Sequence, residues 1–330
     1  MKSRLEQLVD KYHALGIAQQ LDYDKFYLYS IITHSTAIEG STITELENQI
    51  MFDNGIALKG KSIVEQNMNL DLKAAYERAL IFAREHSAVT VDRLKELAAL
   101  TMKNTGTVYH TVLGDFSSAA GDIRLLNVTA GVGGKSYMNY SKVPARLTEF
   151  CQNLNHLRNM SKRMSMQELY DMSFDAHYNL VTIHPWADGN GRMARLLMNW
   201  LQFEYGLIPS RIITEDKEDY IKALVETRES DDLDIFRRFM THTMERQLEK
   251  DIIAFEESMG NEPEAENQLK TVDRILTLLK ENPQYTAREL AGAIGISAKG
   301  IEKQLSKLKL EGRIRRVGPA RGGYWEIEGL

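Results

Sequence analysis

Apolar residues recur at helical spacing along most of the chain. Leu5, Leu8, Val9, Tyr12 and Leu15 mark a first helix, and Leu70, Leu72, Ala75, Leu80 and Phe82 mark a later one. Strand-like signals in this body are few. The clearest lies between Gly121 and Tyr140, where Gly131, Gly133 and Gly134 supply the turn of a short hairpin. The stretch from Glu256 to Asn267 is polar, acidic and interrupted by Gly260 and Pro263, which predicts a linker over residues 256–268. Behind it the pattern tightens. Val272, Ile275, Leu276 and Leu279 form one helix that ends near Pro283. Thr286 caps a second helix carrying Leu290, Ala291 and Ile294. Ser297 caps a third, with Ile301, Leu305, Leu308 and Leu310, and Gly312 stops it. Residues 313–317 and 324–327 then alternate like two strands, so 269–330 read as a small winged helix-turn-helix domain. The fold class expected is mainly α.

Composition narrows the function classes. The 330 residues leave room for about two domains, and 43% hydrophobic with 26% charged residues is ordinary for a globular protein. A single cysteine, Cys151, excludes an intramolecular disulfide and a Cys-rich zinc module, and a cytoplasmic location is expected. The first residues lack the apolar core of a signal peptide, and no apolar run reaches membrane-spanning length, so no membrane partner is expected. The net charge of −5 hides an asymmetry. Residues 269–330 hold 12 Lys/Arg against 7 Asp/Glu, a net of +5, which leaves −10 on the body. A basic tail on an acidic body predicts different partners for the two parts.

Residues 184–195 carry the chemistry. Gly189 and Gly191 bracket Asn190 and let the backbone turn sharply towards a ligand, and helix formers follow from Met193 to Gln202. A glycine loop that opens a helix aims free N–H groups and a positive dipole end at its occupant, which suits phosphate. Arg192 and Arg195, three apart, offer two guanidinium forks for polyphosphate oxygens. Asp188 is a hard oxygen donor suited to Mg2+ bridging those phosphates, and His184 is the nearby general base.

This segment resembles the Fic family signature His-x-Phe-x-(Asp/Glu)-Gly-Asn-Gly-Arg-x-x-Arg, with Trp186 where Phe is usual. The resemblance covers roughly residues 25 to 245. It implies a helical core with a hairpin flap and a protein adenylyltransferase: the His deprotonates a target Tyr, Thr or Ser hydroxyl, which attacks the α-phosphate of ATP and expels diphosphate. It makes Asp188 the Mg2+ ligand, Asn190 and the loop amides the α/β-phosphate cradle, and the arginines the β/γ-phosphate contacts. Gly191, where Doc-type relatives carry Lys, favours AMP transfer over phosphate transfer. Gly121-Asp122-Ile123-Arg124-Leu125-Leu126-Asn127-Val128 fits the entry to the flap, which lays Val128, Thr129, Ala130 and Gly131 over the nucleotide. Tyr220 lies in a segment that resembles the helix enclosing the adenine, while Arg228 replaces an Asn contact of some relatives.

Ser35-Thr36-Ala37-Ile38-Glu39-Gly40 matches the family's inhibitory pattern (Ser/Thr)-x-x-x-Glu-(Gly/Asn), which pairs Glu39 with Arg195 and so blocks the γ-phosphate. The expected organisation is a helical region with this motif over 1–94, a catalytic core over 95–255, the linker, and the winged helix. Self-modification is expected beside modification of a protein target, and a homodimer is one open oligomeric state. Two other readings use the same residues. One is a nucleotide-sensing DNA-binding regulator, with Lys299, Lys303, Lys307, Arg313, Arg315 and Arg316 on phosphates. The other is removal of AMP from a modified protein.

Overall fold

The coordinates, a computed structural model, describe residues 2–20, 22–129, 135–260, 272, 274–280, 282–294, 298–310, 312–318 and 323–327. The chain divides into a unit over Met1–Ile252 and a second over Ile253–Leu330. The first unit is built from α1 (Arg4–Ala14), α2 (Tyr23–Ile38), α3 (Glu45–Asn54), α4 (Ile63–Arg84), α5 (Val91–Thr101), a hairpin β1 (Val108–Thr111) and β2 (Gly114–Ser117), then α6 (Val143–Asn159), α7 (Met166–Ile183), α8 (Asn190–Glu204), α9 (Lys217–Ser230) and α10 (Leu233–Gly260) up to Ile252. α10 runs through Gly260, so the first five residues of the expected linker are helical, and 261–268 lie outside the described residues.

Helices begin where the sequence supplies reciprocal caps. Ser3, Thr44, Ser62 and Ser165 each accept from the N–H three residues on, while Glu6, Glu47, Glu65 and Glu168 reach back to the cap N–H, setting the starts of α1, α3, α4 and α7. α8 is buried along its whole middle, from Arg192 to Gln202. Trp200 packs on Phe82 of α4 with ring centroids 5.2 Å apart, and Tyr76 Oη donates to Asn199 at 2.7 Å. The apolar spacing read for α4 is half right. Leu72, Ala75 and Phe82 are buried, but Leu70 is exposed, and polar Asn69 is fully buried.

That buried Asn69 fixes the end of α2. Thr36 Oγ1 donates to Asn69 Oδ1 at 2.8 Å, as does Asn48 Nδ2 at 2.9 Å, and Asn69 Nδ2 donates to Ser41 Oγ at 3.1 Å. These donors are all met inside the core, although Asn48 Oδ1 has no partner among the described residues, and such a network resists sliding because any shift strands a donor. The C-terminus of α2, where Glu39 sits, is thereby pinned to α3 and α4.

Regular pairing falls upstream of the expected hairpin. β1 and β2 are antiparallel, with Val108 opposite Ser117 and Thr111 opposite Gly114. Over 121–140 the described pairing is the bridge Thr129–Ser136 and the bond from Tyr137 N–H to Val128 O at 3.0 Å, while Ala130 and Gly131 lie outside the described residues. A side chain does what a ladder would do elsewhere: Arg124 Nη1 donates to Leu126 O at 2.7 Å and Nη2 donates to Met138 O, tying the two arms. Gly121 anchors the base of the segment at φ 71°, where a Cβ would stand 2.1 Å from the Lys95 carbonyl of α5.

The second unit holds α11 (residues 274–280), α12 (Ala287–Ile294), α13 (Ala298–Leu310) and the antiparallel pair β3 (Ile314–Val317) and β4 (Tyr324–Ile327). Ile275, Leu279, Leu290, Ile294, Ile301, Leu305, Leu308 and Ile314 form its core. Thr286 and Glu289 make a capping box at α12, and Gly312 turns out of α13 at φ 67°. Among the described residues, the helices, the Gly312 stop and the two strands of the wing fall where the sequence pattern places them, while Ser297, the expected cap of α13, lies outside the described residues.

Candidate active site at the α7–α8 loop

α7 ends at His184, which takes φ 54°, ψ 62° as its C-cap, and α8 starts behind Gly189 at φ 81°. The intervening loop is held from within. Asn190 Nδ2 donates to Trp186 O at 2.9 Å, and Trp186 N–H donates to Asn190 Oδ1 at 3.1 Å. The Asn190 side chain is thus committed to shaping the loop, which leaves its backbone N–H for a ligand. Trp186 is buried, and its indole N–H donates to Gly121 O at 3.2 Å, a bond that Phe cannot make. The residue that departs from the family signature therefore adds a tie between the loop and the base of the flap.

His184 Nδ1 lies 3.1 Å from Val181 O. A carbonyl only accepts, so Nδ1 carries the proton and Nε2 is the basic nitrogen. Burial pushes the imidazole down to about 4; the Val181 bond and Asp188 oppose this, and Arg124 adds to it. His184 is therefore neutral at pH 7, the form a general base needs. Asp188 is well exposed at the mouth of the loop. One of its oxygens accepts from Gly189 N–H at 2.6 Å and lies 3.7 Å from Arg192.

The arginines turn inward. Arg192 is buried against the end of α5, with Nη1 3.5 Å from Thr101 O and Nη2 3.1 Å from Met102 Sδ. Arg195 Nε donates to Ser35 Oγ at 2.8 Å, and Nη2 donates to Ser35 O at 2.9 Å and to Glu39 Oε1 at 2.6 Å. Burial alone would raise the Glu39 carboxyl, but the Arg195 charge and hydrogen bond, with Arg192 and Lys217, hold it below its ordinary value. Gly191 makes room for this pair: a Cβ there would meet Glu39 Oε1 at 2.7 Å and Arg195 Nη1 at 3.1 Å. Gly40, at φ 104°, lets the chain leave α2 directly after Glu39. Among the described residues, Arg192 Nε and Arg195 Nη1 are buried N–H groups without a hydrogen-bond partner. Such orphans beside a glycine loop suit a polyanion.

The structure thus gathers His184, Asp188, Gly189, Asn190, Gly191, Arg192, Arg195, Ser35 and Glu39 at one place. Val128 and Thr129 lie in the flap arm that pairs with Ser136 and Tyr137. Tyr220, expected from the helix that resembles the adenine enclosure, lies next to Arg195. It is buried behind Arg195, its ring among Phe236 and Phe239, its hydroxyl 2.9 Å from His177 Nε2. Two residues were missed as site members. Arg124, fully buried, donates from Nε to His184 O at 2.7 Å, and its own N–H donates to Pro185 O at 3.0 Å. Tyr137 stacks on the His184 ring at 3.7 Å between centroids. Arg124 stands inside the 121–128 run that resembles the entry to the flap, whereas nothing in the local sequence marks Tyr137.

A histidine-capped glycine loop thus stands at the head of a buried helix, with two inward-turned arginines beside it. Residues 88–202 match the Fic/DOC family, and residues 270–315 match a winged helix-turn-helix DNA-binding family. This chain carries a Fic/DOC domain followed by a winged helix-turn-helix domain. Among curated proteins, it is 28% identical over 241 residues to protein adenylyltransferase fic-1 of Caenorhabditis briggsae, covering 72% of this chain and 43% of that protein. It is 30% identical over 223 residues to protein adenylyltransferase Fic of Nematostella vectensis, covering 66% and 47%. The chain therefore spans under half the length of these two relatives. Among solved structures, a Fic-domain-containing signalling protein from Bacteroides thetaiotaomicron shares the fold with a TM-score of 0.63 at 22% identity, over 77% of this chain and 97% of that one. A fragment of Fic-1 from Caenorhabditis elegans does so with a TM-score of 0.61 at 23% identity, over 77% and 72%. No helix among the described residues is long and apolar enough to cross a membrane.

Proposed function

We propose that this chain transfers AMP from ATP to a hydroxyl of a protein side chain, and that Glu39 restrains the transfer. One observation carries the reading: at a single glycine loop, a base with its Nε2 left basic stands beside an arginine already engaged by a carboxylate. The similarity to two protein adenylyltransferases supports it. His184 takes the proton of the acceptor hydroxyl at Nε2 while the oxygen attacks the α-phosphorus. The bond to the β-phosphate bridging oxygen breaks, and diphosphate leaves. Backbone N–H groups at the head of α8 and the Arg192 guanidinium neutralise phosphate oxygens, and Arg195 serves the γ-phosphate once Glu39 has let go. Mg2+ fits the donor present: exposed Asp188 offers a hard oxygen at the mouth of the loop and would hold the ion beside the phosphates. When bound, it supplies charge neutralisation on those phosphates.

The test is incubation of the purified Glu39→Gly chain with a lysate, Mg2+ and ATP labelled at either the α- or the γ-phosphate. Relative to the same lysate without the chain, whose own kinases attach γ label, added protein-bound label from the α position alone is expected. Added γ label would mark phosphate transfer by this chain and overturn the proposal.

For the second domain, the winged-helix match favours duplex DNA as partner. Lys307 on α13 and Arg313 before the wing are exposed. Arg315 is paired with Glu326, and Arg316 lies over the Trp325 ring at 4.9 Å, so the wing uses part of its charge internally. The side chains of Lys299 and Lys303 lie outside the description. The full chain is expected to bind duplex with an affinity that falls steeply as salt rises. Charge reversal at Lys307 and Arg313 together should reduce the log–log slope by about 2. Anisotropy titrations at several salt concentrations read this, and a duplex that never shifts at low salt removes DNA as the partner.

A further inference from the structure

We propose that Tyr137 aims and shields the His184 imidazole, acting as a positioning residue for proton transfer; the inference rests on His184 being the base of the proposed reaction. The backbone of His184 sits at φ 54°, off the end of α7, and its ring makes one described hydrogen bond, from Nδ1 to Val181 O. One bond at one edge leaves the ring plane free to tilt. The Tyr137 ring supplies the missing restraint, lying face to face on the imidazole with centroids 3.7 Å apart and planes 17° from parallel. Contact across a whole face fixes orientation where a single edge bond does not, and it keeps water from that face.

Tyr137 is itself held in register with the base. Its N–H donates to Val128 O at 3.0 Å, and the carbonyl of the next residue, Met138, accepts from Arg124 Nη2. The same guanidinium donates from Nε to the His184 carbonyl at 2.7 Å. One buried side chain therefore spaces the base and its cover, which lie 47 residues apart in the chain. The charged and titratable groups that face His184 are Arg124, Asp188 and the Tyr137 phenol. Arg124 and burial lower the imidazole, while Asp188 and the Val181 carbonyl raise it.

The full-length Glu39→Gly chain is the reference, with Tyr137→Ala and Tyr137→Phe added to it. Ring-labelled histidine read by NMR, with the His184 signal identified by its loss in His184→Ala, gives the titration directly. The reference is expected to titrate near about 4, as burial dictates. Tyr137→Ala opens one face to water, so the midpoint should rise towards the unperturbed value of about 6.5, and Tyr137→Phe, which keeps the ring, should restore it. AMP transfer by Tyr137→Ala should then gain an acid limb in this range, falling at about pH 5.5 to roughly one-tenth of its own rate at about pH 8. At the higher pH, kcat should be lower than the reference by on the order of tenfold, with KM for ATP unmoved. If Tyr137→Ala titrates with the reference, the proposal is overturned. If the reference transfers no AMP at any pH while the His184 midpoint still moves, the proposed function fails and the hold of Tyr137 on the ring stands.

Discussion

His184→Ala is expected to lower AMP transfer by about 10²–10⁴-fold, the usual effect of removing a general base. The geometry shows why no neighbour replaces it. Asp188 is bound to Gly189 N–H and sits at the mouth of the loop, while the nearest other imidazole of the core, His177, is fully buried behind Tyr220 with its pKa pushed down to about 3 by burial. Alanine brings a separate cost, because position 184 takes a positive φ that L-residues with short apolar side chains resist. His184→Asn controls for this, since Asn tolerates that conformation better and still lacks the base. Both variants should bind ATP like the parent and melt within a few degrees of it. Counting AMP adducts by mass spectrometry in the Glu39→Gly background gives the result. Modification near the parent level in either variant removes His184 from the mechanism.

The parts of this chain legible in the sequence are those whose signal is local. The 184–195 segment announces itself because glycine, arginine and carboxylate must stand at fixed offsets along one turn, and the structure brings all of them to the head of α8. Ser35 and Glu39 are legible for the same reason, one turn apart on α2. The second unit follows its pattern closely because each helix carries its own cap or stop. The hairpin β1–β2 was not legible. Its strands are four residues each, β1 alternates only between exposed and half-buried positions, β2 does not alternate, and Val112 at the tip is fully exposed, so no apolar period-2 stripe marks it. Asn69 and Asp71 interrupt the apolar stripe of α4 because they serve partners on other elements, Thr36, Asn48 and Asn104. Tyr137 and Arg124 were hidden as site members because their partners lie far along the chain. A contact between positions 137 and 184 exists only after folding. Tyr220 adds to this: its neighbourhood resembles a nucleotide wall, and its hydroxyl contact with His177 likewise exists only after folding.

Glu39→Gly should raise auto-modification roughly ten- to a hundredfold, the range given by displacing a charge-assisted pair worth about 1.5–3 kcal/mol. Arg195 spends three hydrogen bonds in the resting state, two on Ser35 and one on Glu39, and its Nη1 stays without a partner among the described residues. Removing the carboxylate leaves the guanidinium held by Ser35 but with an open fork aimed at the glycine loop, which is what a γ-phosphate requires. Arg195→Ala should not imitate this, because it removes the partner of both the brake and the nucleotide. Ser35→Ala should activate less than Glu39→Gly. It strands Nε in a buried site and loosens Arg195 towards Glu39 and phosphate alike. The same geometry predicts a stability signature. A buried guanidinium deprived of its carboxylate destabilises the fold, by less than for a fully buried pair because the Glu39 side chain is 33% exposed. The melting temperature of Glu39→Gly should therefore fall below wild type and recover on adding ATP with Mg2+, since the ligand binds the folded state alone and supplies the missing charge. Mass spectrometry of AMP adducts and melting with and without nucleotide give both readings on the same samples. If Glu39→Gly carries no more AMP than wild type while ATP raises its melting temperature, Glu39 is not the restraint.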